Sequence, residues 1–321
     1  MKPKIYITRK LPANLVNQLS SQFDVRMWEK EDVPVPKDVL VEEIKHVDGV
    51  ISLLTEQIDK EVLDQAHKLQ IIANMAVGYD NIDVDYAREI GIIVTNTPDV
   101  LTESTADLTF ALLMATARRI VEANDYIRND QWDNWGPYLL AGSDIFGKTI
   151  GLVGMGRIGQ AVARRAKGFG MSILYHNRNR NLEAEEELQA TYTSFEALLA
   201  NADYIVSLLP LTTETRHKFN KPAFDTMKQS AIFINASRGQ VVDEEALFNA
   251  LHSKQIKAAG LDVFEAEPIR SDHPLVNSPN VVCLPHIGSA TIETRTKMIQ
   301  LCVDNMKDYF FGEGPITPIN K

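Results

Sequence analysis

Short apolar runs alternate with amphipathic segments along the first part of the chain. The segments between the runs, such as Leu11–Gln22 and Lys60–Lys68, have the spacing of helices. The apolar runs are typical of buried strands and comprise Ile5–Thr8, Val50–Leu54, Ile71–Met75 and Ile92–Thr95. Strands that alternate with helices form parallel sheets, so this pattern predicts an α/β domain.

The same alternation returns in the second half and predicts a second parallel sheet. Its strand-like runs are Ser172–Tyr175, Tyr204–Leu208, Ala231–Asn235, Ala259–Asp262 and Val281–Leu284. Between the two sheets, Thr102–Ile120 carries apolar residues around the whole predicted helix, which is typical of a helix buried on several sides. A last helix, Thr291–Phe311, is expected to return to the first domain. The sequence thus predicts an α/β protein with two doubly wound parallel-sheet domains.

The run Ile150–Gly159 leads from an apolar strand into the spacing G-x-G-x-x-G. In a Rossmann βαβ unit the first glycine allows a tight turn, the second lets the main chain approach a pyrophosphate, and the third allows close packing of helix and strand. Gly154, Gly156 and Gly159 stand at these positions. The segment therefore predicts a dinucleotide-binding domain, and its central place leaves room for another domain ahead of it.

Composition and charge narrow the classes of function. A chain of 321 residues with 45% hydrophobic content can bury two cores. Its net charge is −10 and no basic block interrupts the acidic balance, so neither nucleic acid nor a membrane surface is expected as a partner. The first residues lack the apolar core of a signal peptide, and a cytoplasmic protein is expected. The two cysteines lack metal-ligand spacing, so no metal site is predicted.

Three polar residues follow strands of the second sheet, where ligands bind in open α/β folds. Reduction of a carbonyl by hydride needs an acid to protonate the forming alkoxide, and His286 has a suitable side chain for that role. Glu267 would orient the ring and stabilise its protonated form. Arg238 supplies the planar fork that binds a substrate carboxylate bidentately. We expect these three side chains to meet beside a nicotinamide.

The residues after the second strand of the Rossmann unit bear on the choice of cofactor. An NAD site usually carries an acidic residue there, which binds the adenosine ribose, whereas NADP needs cations. Asn177 stands in place of the acid, and Arg178 and Arg180 follow it. The segment favours NADP(H), with NAD(H) as the less preferred cofactor; the alternative is an arginine-bearing surface turn without a phosphate.

The segment Asn124–Ser143 is predicted to be a long loop, and it contains Trp132, Trp135 and Tyr138. Long aromatic loops often lie in subunit interfaces. Two alternatives remain open: contact with a second subunit, or packing of these rings against their own domain.

Several sequence blocks, taken in order, resemble the D-isomer-specific 2-hydroxyacid dehydrogenase family, and specifically its glyoxylate/hydroxypyruvate reductase branch, which includes 2-ketogluconate reductases. The resemblance covers nearly the whole chain. Its specific blocks are Met75–Asp83, Thr97–Thr102, Val153–Gly159, Ile234–Gly239, Ala259–Val263 and Pro285–Thr291.

The resemblance implies roles for individual residues. His286 would be the proton donor, Glu267 its partner, and Arg238 the group that holds the substrate carboxylate and carbonyl. Main-chain N–H groups of Val77 and Gly78 would hold the substrate carboxylate, with Ser289 also at the substrate. The cofactor would contact Gly154, Gly156, Arg157, Ile158, Gly159, Asn177, Arg178, Arg180, Pro210, Ala236 and Asp262. Asp262 would orient the nicotinamide amide.

The resemblance also implies an architecture. Residues 1–100 and 290–321 would form a discontinuous, flavodoxin-like substrate domain, and residues 101–289 an inserted NAD(P)-binding Rossmann domain. Two subunits would pair through their cofactor domains. Mammalian members of this branch place a tryptophan late in the aromatic loop, and Leu139 stands at that position here. A smaller side chain would admit a longer sugar acid.

The expected activity is reduction of a small 2-keto acid, such as glyoxylate, hydroxypyruvate or 2-ketogluconate, to its D-2-hydroxy acid with NADPH. Two alternatives remain. One is an NAD-linked dehydrogenase of the lactate or phosphoglycerate type, against which the missing acid at Asn177 argues. The other is a non-enzymatic, dinucleotide-sensing scaffold, which an NADPH-oxidation assay with hydroxypyruvate would distinguish.

Overall fold

The computed structural model of the protein describes residues 1–320. The chain divides into two compact units. The first unit combines Met1–Leu101 with the segment from Thr291 onward, and the second unit is Thr102–Ala290. Each of these boundaries lies one residue after the position predicted from the sequence.

The first unit is built on a parallel sheet of five strands in the order β2-β1-β3-β4-β5, which is the flavodoxin-like order. The strands are β1 (Lys4–Ile7), β2 (Asp24–Met27), β3 (Gly49–Ser52), β4 (Ile71–Asn74) and β5 (Ile93–Thr95). The helices are α1 (Ala13–Ser20), α2 (Lys37–Ile44), α3 (Lys60–Leu63), α4 (Val84–Glu89) and α12 (Ile292–Phe311). Residues of β3 and β4 are buried along their whole length, as expected for apolar strands covered on both faces.

The second unit contains a parallel sheet of seven strands in the order β12-β11-β10-β9-β6-β7-β8. The strands are β6 (Thr149–Val153), β7 (Ser172–His176), β8 (Thr191–Tyr192), β9 (Tyr204–Ser207), β10 (Ile232–Asn235), β11 (Ala258–Leu261) and β12 (Val281–Cys283). The helices are α5 (Thr102–Ala117), α6 (Ile120–Arg128), α7 (Arg157–Gly168), α8 (Leu182–Leu188), α9 (Phe195–Asn201), α10 (Lys221–Thr226) and α11 (Glu244–His252). Strand order reverses beside β6, as in a Rossmann fold, so the predicted fold class is confirmed.

Helix boundaries differ from the prediction at the start of the second unit. The predicted helix Thr102–Ile120 ends at Ala117, because Arg119 adopts a left-handed conformation with φ of +55° and turns the chain. A second helix, α6, then runs to Arg128, so the prediction of a loop from Asn124 was wrong for its first five residues, Asn124–Arg128. Two side-chain hydrogen bonds from Arg119 to Glu122, of 2.7 and 2.6 Å, support the first turn of α6.

Two other differences have simple causes. The predicted helix Lys60–Lys68 is helical only over Lys60–Leu63. The strands β2 and β8 were not predicted, because β2 is an edge strand with alternating exposure and β8 has only two residues. Within residues 1–320, no helix is long and apolar enough to cross a membrane.

Candidate active site

The turn after β6 has the geometry that a bound pyrophosphate requires. Gly154 has φ of +111°, and a Cβ built there would lie 2.7 Å from the carbonyl oxygen of Leu208. A Cβ at Gly159 would lie 2.1 Å from the carbonyl oxygen of Gly154, so helix α7 and the turn pack closely. A Cβ at Gly156 would meet no atom within 4 Å. The space outside Gly156 is therefore open to a ligand.

Helix α7 presents its N-terminus at the same place. Gly156 is the N-cap and supplies no side-chain hydrogen bond, so the first N–H groups of this 12-residue helix are not capped by that residue. Gly156 and Arg157 are exposed, and Ile158 is half-buried. The N–H groups at a helix N-terminus and the helix dipole favour an anion, so the turn fits the phosphates of a dinucleotide.

The residues after β7 lie beside this turn. Asn177 accepts a 2.8 Å hydrogen bond from the main-chain N–H of Met155 through its side-chain Oδ1. Tyr192 donates from its hydroxyl to the carbonyl oxygen of Asn177 at 3.3 Å. Arg178 and Arg180 both project from this anchored segment and are exposed. The segment holds two guanidinium groups next to the glycine turn.

The two arginines differ in their partners. Arg180 donates from Nε and Nη2 to the carboxylate of Glu185, at 3.0 and 2.6 Å, and its guanidinium lies 5.7 Å from the ring centre of Tyr192. The hydrogen bond from Arg180 lowers the pKa of the Glu185 carboxyl. No carboxylate within residues 1–320 forms a direct ion pair with Arg178, although its positive charge helps to lower the pKa of Glu214. Arg180 is thus held by a direct ion pair, whereas Arg178 is not.

Three further residues predicted at the cofactor follow neighbouring strands of the same sheet. Pro210 is exposed after β9, Ala236 is half-buried after β10, and Asp262 is buried after β11. Because all these strands are parallel, their carboxyl ends lie at one edge of the sheet, together with the glycine turn. The second unit therefore brings the predicted cofactor residues to a single edge.

At this edge, His286 and Glu267 form a direct pair. His286 Nδ1 lies 2.7 Å from Glu267 Oε2, and both side chains are about three-quarters buried, with 24% and 29% of their surface exposed. Burial opposes ionisation of Glu267, but the hydrogen bond to His286 and the positive charge of Arg238 help to lower its pKa. We name Arg238, Glu267 and His286 the catalytic corner.

Asp262 holds the turn on which His286 stands. Its two carboxylate oxygens accept hydrogen bonds from the N–H groups of Ile287 and Gly288, each 2.8 Å long, and its carbonyl accepts from His286 N–H at 2.8 Å. Burial raises the pKa of this carboxyl. His286 has φ of +53°, an uncommon conformation for a residue with a side chain, which the bonds to Asp262 stabilise.

The segment that carries Glu267 is fixed by contacts from its own unit. Phe264 N–H donates to Glu267 Oε1 at 2.9 Å, and Glu265 N–H donates to Glu244 Oε1 at 2.8 Å. Gly239 lies against the same segment, since a Cβ there would be 1.8 Å from the carbonyl carbon of Phe264. Arg238, the neighbour of Gly239, is therefore brought close to the segment that bears Glu267.

The other substrate residues implied by the resemblance are placed as follows. Val77 and Gly78 are half-buried in the loop after β4 of the first unit. Ser289 is half-buried in the second unit, three residues after His286.

Sequence reasoning missed the supporting residues. Glu244, whose pKa is raised by burial, and Glu185 were not identified, and Asp262 was not expected to hold the histidine turn. Each acts through a contact between segments distant along the chain or set by helix geometry. No local motif marks them in the sequence.

Comparison with known proteins adds the family. A family model described as "D-isomer specific 2-hydroxyacid dehydrogenase, NAD binding domain" matches residues 110–288. The chain belongs to this dehydrogenase family. Its glycine turn and catalytic corner both lie within the matched residues. The family predicted from the sequence is confirmed, and the protein is an NAD(P)-dependent 2-hydroxyacid dehydrogenase.

Relatives of this dehydrogenase span its whole length. A glyoxylate reductase from Thermococcus gammatolerans is 49% identical over 100% of this chain and 97% of its own. A crystal structure of a protein from Thermus thermophilus has a TM-score of 0.92 and 43% identity, with 98% of this chain and 99% of that chain covered. An NADPH-dependent glyoxylate/hydroxypyruvate reductase from Sinorhizobium meliloti, solved with NADP and malonate, has a TM-score of 0.89 and 35% identity, with 99% and 97% covered.

Proposed function

We propose that this dehydrogenase reduces glyoxylate and hydroxypyruvate to the corresponding D-2-hydroxy acids, with NADPH as the preferred reductant and His286 as the proton donor. The observation that carries the proposal is the His286–Glu267 pair, 2.7 Å apart, at the same sheet edge as the dinucleotide turn. The similarity to glyoxylate reductases over the full chain supports the choice of substrate.

The chemistry divides between the cofactor and the catalytic corner. A bound reduced nicotinamide supplies a hydride to the keto carbon, and the carbonyl oxygen takes up a proton. His286 donates that proton from Nε2, because its Nδ1 is engaged with Glu267. Glu267 stabilises the protonated ring and fixes its plane. The ionised state of Glu267, favoured by its lowered pKa, serves both purposes.

Binding of the substrate requires groups that recognise a carboxylate next to a carbonyl. Arg238 offers a planar, permanently charged fork for this purpose. In the first unit, the N–H groups of Val77 and Gly78 supply neutral donors for the substrate carboxylate. Ser289 adds a hydroxyl in the second unit.

The preference for NADPH rests on the segment after β7. It carries no carboxylate at Asn177, where an NAD site would accept bonds from the ribose hydroxyls. Arg178 is the main candidate for contact with a 2′-phosphate, since no carboxylate within residues 1–320 holds it in a direct ion pair. Arg180 is the second candidate and would contribute less because Glu185 already holds it.

Steady-state kinetics with the purified protein tests the function. We expect NADPH oxidation with glyoxylate and hydroxypyruvate, and a higher kcat/KM with NADPH than with NADH. A higher kcat/KM with pyruvate and NADH would favour a lactate-type dehydrogenase instead. Tight binding of the dinucleotide without turnover of any 2-keto acid would favour the non-enzymatic alternative.

A longer substrate such as 2-ketogluconate is a further proposal, and it rests on Leu139. This residue stands where mammalian relatives of the reductase branch carry a tryptophan, and 40% of its surface is exposed. Substitution Leu139→Trp should then reduce kcat/KM for 2-ketogluconate more than for glyoxylate. Equal effects on the two substrates would argue against this role.

We also propose that two copies of the chain pair through the second unit. Large apolar side chains are exposed on α6 and the segment that follows it, including Ile127 (58%), Trp132 (58%), Trp135 (78%) and Tyr138 (87%). Exposed apolar and aromatic side chains in number are typical of a subunit interface. The mass measured by light scattering should be that of a dimer, and substitution Trp135→Ser should shift it towards the monomer.

A further inference from the structure

Three consecutive main-chain donors in the first unit lack acceptors. The N–H groups of Val77, Gly78 and Tyr79 form no hydrogen bond within residues 1–320. Val77 and Gly78 are half-buried and Tyr79 is exposed. Unpaired N–H groups at adjacent positions form a site that attracts an anion. We name residues 76–79 the amide turn.

The carbonyl groups of the amide turn, by contrast, are engaged at three successive positions. Thr97 N–H donates to the carbonyl oxygen of Ala76 at 2.8 Å. Asn96 donates from Nδ2 to the carbonyl oxygen of Val77 at 2.8 Å, and Asn74 donates from Nδ2 to that of Gly78 at 3.1 Å. A separate donor therefore fixes each of three successive peptide groups.

Fixing a carbonyl also fixes the next N–H. A trans peptide is planar, and its C=O and N–H bonds point in opposite directions. The bond from Asn96 to the carbonyl of Val77 therefore sets the direction of the Gly78 N–H. In the same way, Thr97 sets the direction of the Val77 N–H. Thr97 and Asn96 therefore orient the two N–H groups through the carbonyl oxygens to which they donate.

Asn96 is itself held from the end of the chain. Thr317 donates from its hydroxyl to the carbonyl oxygen of Asn96 at 2.7 Å, and Asn305 of α12 donates from Nδ2 to the Thr317 hydroxyl oxygen at 3.0 Å. Asn96 and Asn305 are buried, with 8% and 0% of their surface exposed. This chain of hydrogen bonds holds the main chain at Asn96, the residue whose side-chain amide donates to the carbonyl oxygen of Val77.

We propose that Asn96 is a positioning residue for substrate binding, which aims the Gly78 N–H at the substrate carboxylate by holding the carbonyl of Val77. The inference rests on the proposed function of the amide turn and names a side chain that supports it. An amide suits the role because it donates a hydrogen bond without adding charge. An aspartate at this position could not donate from an ionised carboxylate and would bring a negative charge towards the substrate.

The test uses the substitutions Asn96→Ala and Asn96→Asp in the full-length protein. We expect each to raise KM for glyoxylate, and the dissociation constant of the non-reducible carboxylate oxamate, by about five- to tenfold, the effect of one lost hydrogen bond. Asn96→Asp should be the more severe. The dissociation constant of NADPH, measured by fluorescence, should stay unchanged, because NADPH binds to the second unit.

The chain offers a matched control in Asn320. This buried asparagine also hydrogen-bonds the backbone of β5 and its approach, accepting from Val94 N–H at 2.7 Å and donating to the carbonyl of Ile92 at 2.8 Å, but it has no contact with the amide turn. Asn320→Ala should lower Tm about as much as Asn96→Ala and leave KM for glyoxylate unchanged.

The outcomes separate this inference from the proposed function. If Asn320→Ala raises KM as much as Asn96→Ala, or if Asn96→Asp leaves oxamate binding intact, Asn96 is only a stabilising residue. If the wild-type protein reduces keto acids but none of these variants changes KM, the inference fails and the function stands. If the wild-type protein neither binds oxamate nor reduces a keto acid, both fail.

Discussion

The catalytic corner of the second unit and the amide turn of the first unit offer different chemical groups to a ligand. The corner uses ionisable side chains, with His286 and Glu267 paired at 2.7 Å. The turn uses main-chain N–H groups, and the neutral amides of Asn96 and Asn74 hold it through its carbonyls. Under the proposed function, the corner combines a proton donor with charged groups, whereas the turn offers an anion only neutral dipoles.

This difference predicts which variants change turnover and which change affinity. Loss of a charged group in the corner removes an interaction that grows in the transition state, so it lowers kcat. Loss of a side chain that holds the amide turn weakens binding of the substrate and of the transition state equally, so it raises KM.

The largest effect is expected for His286→Gln. Loss of the general acid should lower kcat by ~10² or more, while the dissociation constant of NADPH stays near that of the wild type. Stopped-flow measurement of NADPH oxidation at saturating glyoxylate gives this value directly. Full turnover by the variant would remove His286 from the mechanism and leave the corner without a proton donor.

A smaller loss, about tenfold in kcat, is expected for Glu267→Gln, since a hydrogen bond to a charged partner is replaced by a neutral one. Glu267 has a lowered pKa, so in the wild type it stays ionised as the pH falls to the ordinary range of a glutamate, and its protonation does not limit activity at neutral pH. The contacts of the ionised Glu267 carboxylate stabilise the fold above its unfolded-state pKa, and this contribution is lost as the pH falls through the lower, folded-state pKa.

The pH profile of kcat checks this assignment. Because the pKa of Glu267 is lowered, its protonation should reduce wild-type activity only at acid pH, below the ordinary range of a glutamate, and this acid limb should be absent in Glu267→Gln. Asp262→Asn, which alters the turn beneath His286 without removing Glu267, serves as a comparison. The same acid limb in wild type and Glu267→Gln would contradict the role of the pair.

Effects of the same size or smaller are expected for the cofactor and should leave both substrate regions unaffected. Arg178→Ala should raise KM for NADPH about tenfold and leave KM for NADH nearly unchanged, because one charged contact to a phosphate is lost. Arg180→Ala should change KM for NADPH by less than about threefold, since the pair with Glu185 already balances its charge. Equal losses with NADPH and NADH in Arg178→Ala would contradict the phosphate contact.

The same contrast explains how much the sequence could predict. The glycine turn at Gly154 and the side chains of Arg238, Glu267 and His286 follow apolar strands, and parallel strands deliver their carboxyl ends to one edge. These three side chains can therefore be predicted from the positions of the strands that precede them. Fully buried strands such as β4 can also be predicted, since they are mostly apolar.

The supports could not be predicted in this way. Asn96 directly follows β5. No sequence pattern around it indicates that its side-chain amide donates to the carbonyl oxygen of Val77, 19 residues earlier. The ion pair between Arg180 and Glu185 depends on the residue at which α8 starts. The first and last residues of a helix are the hardest to predict from a sequence pattern. The short edge strands β2 and β8 carry too few apolar residues to give a signal.

The tail that follows α12 adds a consequence for handling the protein. It lies along β5 through a bridge between Thr95 and Pro318 and a 2.9 Å hydrogen bond from Ile319 N–H to the carbonyl oxygen of Val94, and it holds Asn96 through Thr317. Preparations nicked by proteases in this tail would lose affinity for the keto acid ahead of affinity for the dinucleotide. In an assay at one substrate concentration, this loss of affinity would lower the measured rate and could not be distinguished from a defect in the active site.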